Sequence, residues 1–458
     1  TALLTVLMAS GLHHRGRRCT TVRPVGSTPA GPEAPPRPAP DAHKDESTMP
    51  PSEPAARSYL DHAACAPVRP EVAAQIARDL ARATAGRANP AALHASGRRA
   101  GAALCEARAR LAAALGVDPH EVLFTSGGTE ADGLVVVGRV LAALAAGVER
   151  PHLVVSPVEH PAVLDSARRA GALGAELTLL DVDAAGRVAP GDAGLAVEPG
   201  RTALVSVMTA NNETGLVQDV AGLVAAVRGR TGPARPGDPG WVPVHSDAVA
   251  AVGRVDVDMG GWGLDAMTLS GHKLGAPVGT GALVVRREVA LTAPTGGGGQ
   301  ERGIRSGTQD VVGARALALA VELAVAEREA QAVRLEALRR RILAGATALP
   351  GVHATLPEGA SHLPGTAHLW FEDVDAQALL MALDLAGIDA SAGSACHAGV
   401  SRPSGVLLAM GFAESAARST LRCSMGRETT AADVERLLSA LPGALETARR
   451  AARAAGAG

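Results

Sequence analysis

Aromatic side chains are almost missing from this chain of 458 residues, which contains three Trp, one Tyr and three Phe. So few rings argue against base-stacking platforms and aromatic cages. An excess of charge is missing too: the formal net charge is −2, which favours neither nucleic acid nor an anionic membrane as a partner. No apolar run reaches the roughly 20 residues of a membrane-spanning helix. Hydrophobic residues still make up 47% of the chain, enough for a core spread over two or three domains.

Cysteine is scarce, and its spacing excludes two classes of site. The five cysteines, an odd number without a Cys-X-X-Cys pair, are Cys19, Cys65, Cys105, Cys396 and Cys423. Neither a disulfide framework nor a zinc site is indicated, and we predict no metal. Unpaired thiols suit a reducing, cytoplasmic compartment.

Lysine is rarer still, because only Lys44 and Lys273 occur among the 44 basic residues. Arginine can replace lysine as a surface charge but not as an amine nucleophile, since its guanidinium stays protonated. Lys44 lies in a Pro-rich segment, which leaves Lys273 as the only lysine in the part predicted to fold. The simpler interpretation is that Lys273 is an ordinary surface lysine. The residues around it in the sequence distinguish this from a functional role.

The first 56 residues differ in composition from the rest. Ten of the thirty prolines fall between Pro24 and Pro54, and no helical or strand period survives there. We therefore predict a disordered Pro-rich extension over 1–56. Its apolar start precedes a basic cluster, the reverse of a secretory signal. The segment weakly resembles a transit peptide, and we favour a translation start at Met49.

Seven short apolar runs alternate with helical stretches in the middle of the chain. The runs are Val122–Thr125, Leu153–Ser156, Leu177–Leu180, Ala203–Met208, Val242–His245, Ala266–Leu269 and Gly281–Val285. Such runs predict a mostly parallel sheet with helices on both faces. Helices are also predicted over Pro70–Ala85, Gly97–Leu115 and Val311–Leu349.

Polar motifs follow these runs, at the sheet edge where parallel sheets bind ligands. The glycine turn Ser126–Thr129 precedes a helix whose free amides suit a phosphate, although an ordinary capped turn is the alternative. Asp247 follows one run, and Ser270–Lys273 follows another. A lysine for a Schiff base, a phosphate cradle and a carboxylate that keeps a pyridine nitrogen protonated are together what pyridoxal phosphate requires.

In order and spacing, these motifs resemble those of the cysteine desulfurases of the class V aminotransferase group. The matching segments are Tyr59–Ala64, Asn89–His94, Thr125–Glu130, Glu159–His160, Asn211–Gly215, Asp247–Ala248, Ser270–Lys273, Gly297–Thr308, Ser394–Cys396 and Leu421–Arg422. The resemblance implies a fold-type-I pyridoxal phosphate enzyme of the α/β class. It implies a large domain with a mostly parallel seven-stranded sheet and a smaller α/β C-terminal domain.

Domain boundaries follow from this expectation. An N-terminal segment, 57–72, should pack with the small domain. The large cofactor-binding domain should cover 73–311. The small domain, 312–446, should carry a catalytic cysteine loop, and 447–458 should form a tail.

The resemblance also implies how the cofactor is held. Lys273 should carry it, Asp247 should pair with the pyridine nitrogen, and His160 should stack on the ring and take part in catalysis. The residues expected to bind the phosphate are Gly128, Thr129, Ser270 and His272.

Three further residues are implied to bind substrate or cofactor. Asn212 should contact the phenolic-oxygen side of the ring and the substrate. Arg422 should clamp the substrate carboxylate, a task suited to a bidentate guanidinium. Thr308 should reach the phosphate in the partner subunit, which implies a homodimer.

Cys396 is the predicted nucleophile. It lies in a Gly-, Ser- and Ala-rich stretch, Ser391–Ser404, that reads as a loop, although a buried inert cysteine is the alternative. The resemblance implies that Cys396 takes sulfur from L-cysteine, leaving L-alanine, and passes the persulfide to an acceptor protein, an iron–sulfur scaffold or a tRNA-thiolation protein. Cys105 and Cys423 are interpreted as structural, and Cys65 is assigned no role.

Departures from the family pattern keep other functions open. Ala250 stands where a glutamine is usual, Gly133 replaces an asparagine, and Val278 replaces a lysine. A selenocysteine lyase, another C–S lyase or an aminotransferase on the same scaffold is one alternative. A catalytically silent scaffold protein is another.

Overall fold

The computed structural model describes residues 57–81, 88–238, 240–393 and 403–456. The predicted extension over 1–56 lies outside this range. In chain order the strands and helices are β1 (Ser58–Tyr59), α1 (Pro70–Ala81), α2 (Ala95–Leu115), β2 (Val122–Thr125), α3 (Gly128–Ala145), β3 (His152–Val155), α4 (Pro161–Ala170), β4 (Glu176–Leu179), α5 (Pro190–Ala196), β5 (Thr202–Ser206), α6 (Val220–Thr231), β6 (Val244–Asp247), α7 (Met259–Trp262), β7 (Ala266–Ser270), β8 (Gly281–Val285), α8 (Val311–Thr347), β9 (Val352–Ala354), β10 (Thr366–Phe371), α9 (Ala376–Leu385), β11 (Ile388–Asp389), α10 (Gly405–Ala409), α11 (Glu414–Arg418), β12 (Thr420–Ser424) and α12 (Ala431–Gly456).

The largest sheet has seven strands in the order β2-β8-β7-β6-β5-β3-β4. The strand β8 pairs antiparallel with β2 and β7, and all other pairs in this sheet are parallel, so the sheet is mostly parallel as predicted. All seven apolar runs coincide with strands. The strand β6 starts at Val244, after Pro243, because proline cannot donate to the ladder. The strand ends at Asp247.

Apolar side chains alternate across this sheet and build two separate cores. On β2, Leu123 packs into one core and Phe124 into the other. The Leu123 core is completed by α3 and α4 through residues such as Val135 and Val163. The opposite core takes residues of α2, α6 and α8, among them Leu317. Helices on both faces confirm the predicted fold class.

The ends of two predicted helices have identifiable physical causes. The helix α2 stops at Gly116, whose φ of +68° is the left-handed conformation that closes many helices. The helix α8 begins after Asp310, whose carboxylate accepts the amide of Gly313. It runs to Thr347, close to the predicted end.

A smaller sheet, β12-β10-β9, and the pair β1–β11 form the rest of the fold. A further core there contains Leu60, Phe371 and Leu421. The strand β1 pairs with β11, and the amide of His62 donates to Ser424 O at 3.1 Å. The helix α12 continues to Gly456, through residues expected to form a tail. Across the described ranges, no helix is both long and apolar enough to cross a membrane.

Candidate active site

A cavity of about 590 Å³ opens at the carboxyl ends of the parallel strands. This is the sheet edge at which such folds bind ligands. The predicted site residues that line it are Gly128, Thr129, His160, Asn212, Asp247, Ser270, His272, Lys273 and Arg422. The structure thus brings together residues that are up to nearly three hundred positions apart in sequence.

The turn between β2 and α3 forms one wall of this cavity. Gly127 precedes the helix with a φ of +155°, a conformation that favours glycine, and gives the helix no side-chain cap. A Cβ on Gly128 would lie 2.9 Å from Val249 Cγ2, so no larger residue fits there without a shift. The uncapped amides at the start of α3 are a ready anion site.

Lys273 follows β7 in a short 3₁₀ turn, Gly271–Lys273. Its Nζ donates hydrogen bonds to the carbonyl oxygens of Ala63 and Ala64, at 2.5 and 2.8 Å. Burial, helped by the nearby Arg422 and Arg254, lowers the pKa of Lys273 to about 8. A lysine with such a pKa is partly neutral near pH 7 and can act as a nucleophile or base.

Asp247 lies at the end of β6 and is almost fully buried, at 4% exposure. Its Oδ1 accepts the amide of Val249 at 2.9 Å. Burial raises the pKa of Asp247, an effect that the charges of His160 and Lys273 oppose. A protonated pyridine nitrogen is the kind of cationic donor that such a carboxyl needs in order to stay ionised.

Two more carboxyls are buried beside Asp247. Burial first, and then the charge of Asp247, raises the pKa of Asp132 and of Glu159 well above the usual range. Asp132 Oδ1 and Glu159 Oε2 have no hydrogen-bond partner among the described residues. Three negative charges this close together would repel one another. We therefore expect only one of the three carboxyls to be ionised at a time.

His160 is held at the N-terminus of α4. Its Nδ1 accepts the amide of Ala162 at 3.1 Å, which leaves the proton of the neutral ring on Nε2. Burial and the charge of Lys273 lower the pKa of His160, while Asp247 opposes the shift. A neutral imidazole that lines the cavity can stack on a flat cofactor ring.

Ser270 and His272 form a polar pair next to the glycine turn. Ser270 Oγ lies 2.9 Å from His272 Nδ1. Burial, with Lys273 and His160 nearby, lowers the pKa of His272 to about 4. Near pH 7 this imidazole is neutral, and it can meet a phosphate as a hydrogen-bond donor rather than as a cation.

Arg422 projects from β12 and is 4% exposed. It donates to the carbonyl oxygen of Asn212 and to Asp61 Oδ1, both at 2.8 Å. Its Nε has no hydrogen-bond partner among the described residues. A guanidinium fixed on one side with a free donor suits a carboxylate ligand.

Three residues of the site escaped the sequence interpretation. Asp61 orients Arg422, Asp132 lies beside Asp247, and Arg254 lines the cavity. Only Asp132 left a signal, as an acid within the apolar helix α3. Ala250 also lines the cavity, and its methyl group offers no hydrogen bond.

The structure does not bring every predicted residue together. Thr308 lines a separate groove of about 680 Å³, with Pro277 and Val278. Its predicted contact with a partner subunit stays a prediction. Cys396 lies outside the described residues, although Gly393 and Pro403 on either side line the main cavity.

The other cysteines divide by burial. Cys423 is fully buried, and burial raises its pKa to about 12, as expected of a structural thiol. Cys105 is exposed on α2, and its interpretation as a structural cysteine without a catalytic role stays a prediction. Cys65 is partly buried.

The residues of the cavity fit pyridoxal phosphate. The uncapped helix start would hold the phosphate, and Asp247 would meet the pyridine nitrogen. Lys273 would provide the amine. A Cβ added at Gly128 in the phosphate wall would clash with its neighbour, so glycine is needed there. The buried carboxyls would be stabilised by a cationic partner.

Comparison with known proteins agrees with this geometry. The model of the aminotransferase class-V family, whose cofactor is pyridoxal phosphate, matches residues 58–437. An IscS-like cysteine desulfurase of Mycobacterium tuberculosis is 44% identical over 87% of this chain and 98% of its own length.

Two solved structures show the same fold. A NifS-like protein has a TM-score of 0.76 at 29% identity and covers 85% of this chain and 100% of its own. A structure described as SspA in complex with cysteine has a TM-score of 0.66 at 30% identity and covers 80% and 98%. The chain therefore belongs to the class-V aminotransferase family and, within it, to the cysteine desulfurases.

Proposed function

We propose that this enzyme removes the sulfur of L-cysteine, releases L-alanine and holds the sulfur as a persulfide on Cys396 for an acceptor protein. The observation that carries the proposal is the convergence of Lys273, Asp247 and Arg422 on one cavity. A cavity of about 590 Å³ has room for a cofactor together with a small amino acid.

Arg422 is our candidate for binding the substrate carboxylate. Asp61 and the Asn212 carbonyl hold two of its nitrogens, which fixes the plane of the guanidinium before substrate arrives. A clamp that is already oriented lowers the entropy cost of placing the substrate α-carbon. Asn212 lines the cavity beside this clamp, which supports its role next to the ring.

Proton transfer falls to Lys273 and His160. Pyridoxal phosphate, when bound, supplies an electron sink for the substrate α-carbon. The Nζ of Lys273, with its pKa of about 8, can take the α-proton and return it. His160 presents its Nε2 proton, since Nδ1 is already occupied by the Ala162 amide.

Sulfur transfer falls to Cys396. Its thiolate forms a bond to the substrate sulfur while the carbon–sulfur bond breaks, and the electron pair of that bond stays with carbon. Protonation of this carbon yields alanine, and the protein keeps a persulfide.

The nucleophile assignment can be tested by substitution. Cys396→Ser should abolish the release of sulfide from L-cysteine, because a hydroxyl does not accept the sulfur. The visible absorbance of the bound cofactor should not change. Cys105→Ser, at an exposed thiol on α2, is the matched control and should keep wild-type turnover. Sulfide release by Cys396→Ser at the wild-type rate would refute the assignment.

We also propose the setting in which the enzyme works. A cytoplasmic homodimer, completed by Thr308 of each subunit, would deliver sulfur to an iron–sulfur scaffold or to a tRNA-thiolation protein. The separate groove around Thr308, bordered by the exposed Val278, supports an intersubunit contact.

A further inference from the structure

Arg254 is a cation of the active-site cavity to which the proposed chemistry gives no role. It lines the cavity together with Lys273 and Arg422. Within the described residues its side chain makes one hydrogen bond, from Nη2 to the carbonyl oxygen of His62 at 3.3 Å. None of the ion pairs found in these residues includes Arg254, so its positive charge is not paired with a carboxylate there.

The backbone determines where this guanidinium lies. Arg254 is at the end of the turn that follows β6. The residue before it, Gly253, has a φ of +71°, the left-handed conformation that favours glycine. A Cβ on Gly253 would lie 2.7 Å from Ala324 Cβ on α8 and 3.2 Å from Leu274 Cδ2. The turn therefore packs closely against the residue that follows Lys273.

Arg254 and Lys273 hold the same short stretch of backbone. Three consecutive carbonyl oxygens, those of His62, Ala63 and Ala64, accept hydrogen bonds from these two side chains. The first accepts from Arg254, and the other two accept from Lys273. Because the acceptors are neighbours in sequence, the two cationic side chains lie close to each other. The charge of Arg254 is accordingly one of the causes that lower the pKa of Lys273.

The other guanidinium near this amine is already paired. Arg422 donates to Asp61 Oδ1 at 2.8 Å. The charge of Arg422 lowers the pKa of Lys273, and the charge of Asp61 raises it, so the two effects partly cancel. Arg254 has no carboxylate to offset its effect on the amine.

The remaining titratable groups around Lys273 do not replace the charge of Arg254. His160 and His272 have lowered pKa values, so both are neutral near pH 7. The groups that face Lys273 are Asp61 and Cys65 of the N-terminal segment, His160 at the start of α4, Asp247 on β6, Arg254 after β6, His272 in the same turn and Arg422 on β12. Of the two guanidinium groups in this set, Arg254 is the one without a carboxylate partner.

We propose that Arg254 is a positioning residue that presents an unpaired positive charge to Lys273 and so favours the neutral, nucleophilic form of its amine. A guanidinium that is desolvated without a carboxylate partner destabilises a fold, which a role in the site explains. The consequence for the capture of pyridoxal phosphate depends on the cofactor alone. The consequence for transfer of the substrate α-proton rests on the proposed function.

The scarcity of lysine makes a direct test possible. Lysine labelled with carbon-13 gives two side-chain signals in the full chain, because Lys44 and Lys273 are its only lysines. Lys44→Arg removes one signal and thereby assigns the other. The chemical shift of the labelled ε-carbon, followed against pH in the apoprotein, measures the titration of Lys273 without substrate or turnover.

Three variants separate the charge of Arg254 from its hydrogen bond. Arg254→Lys keeps the charge, so Lys273 should titrate as in the wild type, at a pKa of about 8. Arg254→Gln keeps a donor for the His62 carbonyl but has no charge, so Lys273 should titrate at least about half a unit higher. Arg287→Gln is the matched control, because it removes one positive charge from an exposed ion pair with Asp118 and should leave the titration unchanged.

The same variants predict rates of cofactor capture, measured by borohydride trapping. At pH 7 the Arg254→Gln apoprotein should capture pyridoxal phosphate about threefold more slowly than the wild type, because a smaller fraction of the amine is neutral. Near pH 10 the amine is mostly neutral in both proteins, and the two rates should agree. A merely structural defect would slow capture at both pH values.

Three results would overturn the proposal. The first is a titration of Lys273 that is unchanged in Arg254→Gln. The second is a shift in Arg254→Lys as large as that in Arg254→Gln, because the charge would then not be the cause. The third is an equal shift in Arg287→Gln, which would mean that net charge acts from anywhere on the molecule. If Arg254→Gln does not fold, Arg254→Met, which fills similar space without a charge, carries the same expectation.

Failure of the proposed function is distinguishable from failure of this proposal. Neither the titration nor the capture of cofactor requires L-cysteine. An enzyme whose Lys273 titrates as expected but which forms no persulfide on Cys396 refutes the proposed function and leaves the role of Arg254 in place.

Discussion

At the scale of single residues, the chemistry depends on how far burial moves each titratable group. The sequence singled out Lys273 because it has almost no other lysine. It did not reveal that burial and two guanidinium groups lower the pKa of this amine to about 8. The neutral His160 and the buried Asp247 likewise owe their protonation states to their surroundings.

The pKa of Lys273 predicts how the apoprotein captures pyridoxal phosphate. Only the neutral amine attacks an aldehyde, and a lowered pKa makes this form available at lower pH. The capture rate should rise roughly tenfold from pH 7 to pH 9 and level off there, since the amine is then mostly neutral. Borohydride trapping followed by peptide mapping measures the adduct at Lys273.

Lys273→Arg is the control for this measurement and should give no trapped adduct. A wild-type rate that keeps climbing to pH 10 and beyond would mean that the amine has an ordinary pKa, and it would contradict the description of this residue.

At the scale of elements, the phosphate wall depends on the close approach of two backbones. Gly281 on β8 pairs with Thr125 on β2 and with Ser270 on β7. A Cβ on Gly281 would lie 2.5 Å from Gly127 Cα, which is closer than Cβ atoms approach other atoms in proteins. The antiparallel strand β8 thereby supports the turn that precedes α3.

Gly281→Ala should weaken cofactor binding, because the new methyl group displaces Gly127 and with it the free amides of α3. We expect the dissociation constant for pyridoxal phosphate to rise at least about tenfold, equal to roughly 1.4 kcal/mol. Titration of the apoprotein with cofactor, followed by absorbance, measures it. Gly443→Ala on α12, where a Cβ meets no atom within 4 Å, should bind as wild type does. Equal affinities in the two variants would contradict this role of β8.

Elements were more predictable than contacts between them. The seven strands followed from short apolar runs, and only β6 began later than expected, after Pro243. The motifs at strand ends predicted most of the cavity, because parallel strands end at one edge. The pair of Asp61 and Arg422 joins residues 361 positions apart. No local pattern predicts such a pair, since it depends on tertiary packing.

At the scale of the whole molecule, we propose that Thr308 connects the site to subunit assembly. It lies in its own groove rather than in the cavity of its own chain. If Thr308 serves the partner's phosphate, each cavity is complete only in a dimer.

Mixed dimers test this prediction. Lys273→Ala subunits should be inactive because they lack the amine, and Thr308→Val subunits should have weakened cofactor binding. A mixed dimer keeps one intact cavity, with Lys273 from one subunit and Thr308 from the other. Co-expression of differently tagged variants should therefore recover up to about half of the wild-type activity per dimer at limiting cofactor. Recovery no better than that of the Thr308→Val homodimer would show that Thr308 acts within its own chain.

The central claim is that sulfur passes from L-cysteine to Cys396. Its most direct test is brief exposure of the holoenzyme to L-cysteine labelled with a heavy sulfur isotope, followed by mass spectrometry of the Cys396 peptide. The account predicts one heavy sulfur atom on Cys396 for each alanine released in the first turnover. Alanine release with an unmodified Cys396 peptide, or with the label on Cys65 instead, would contradict it.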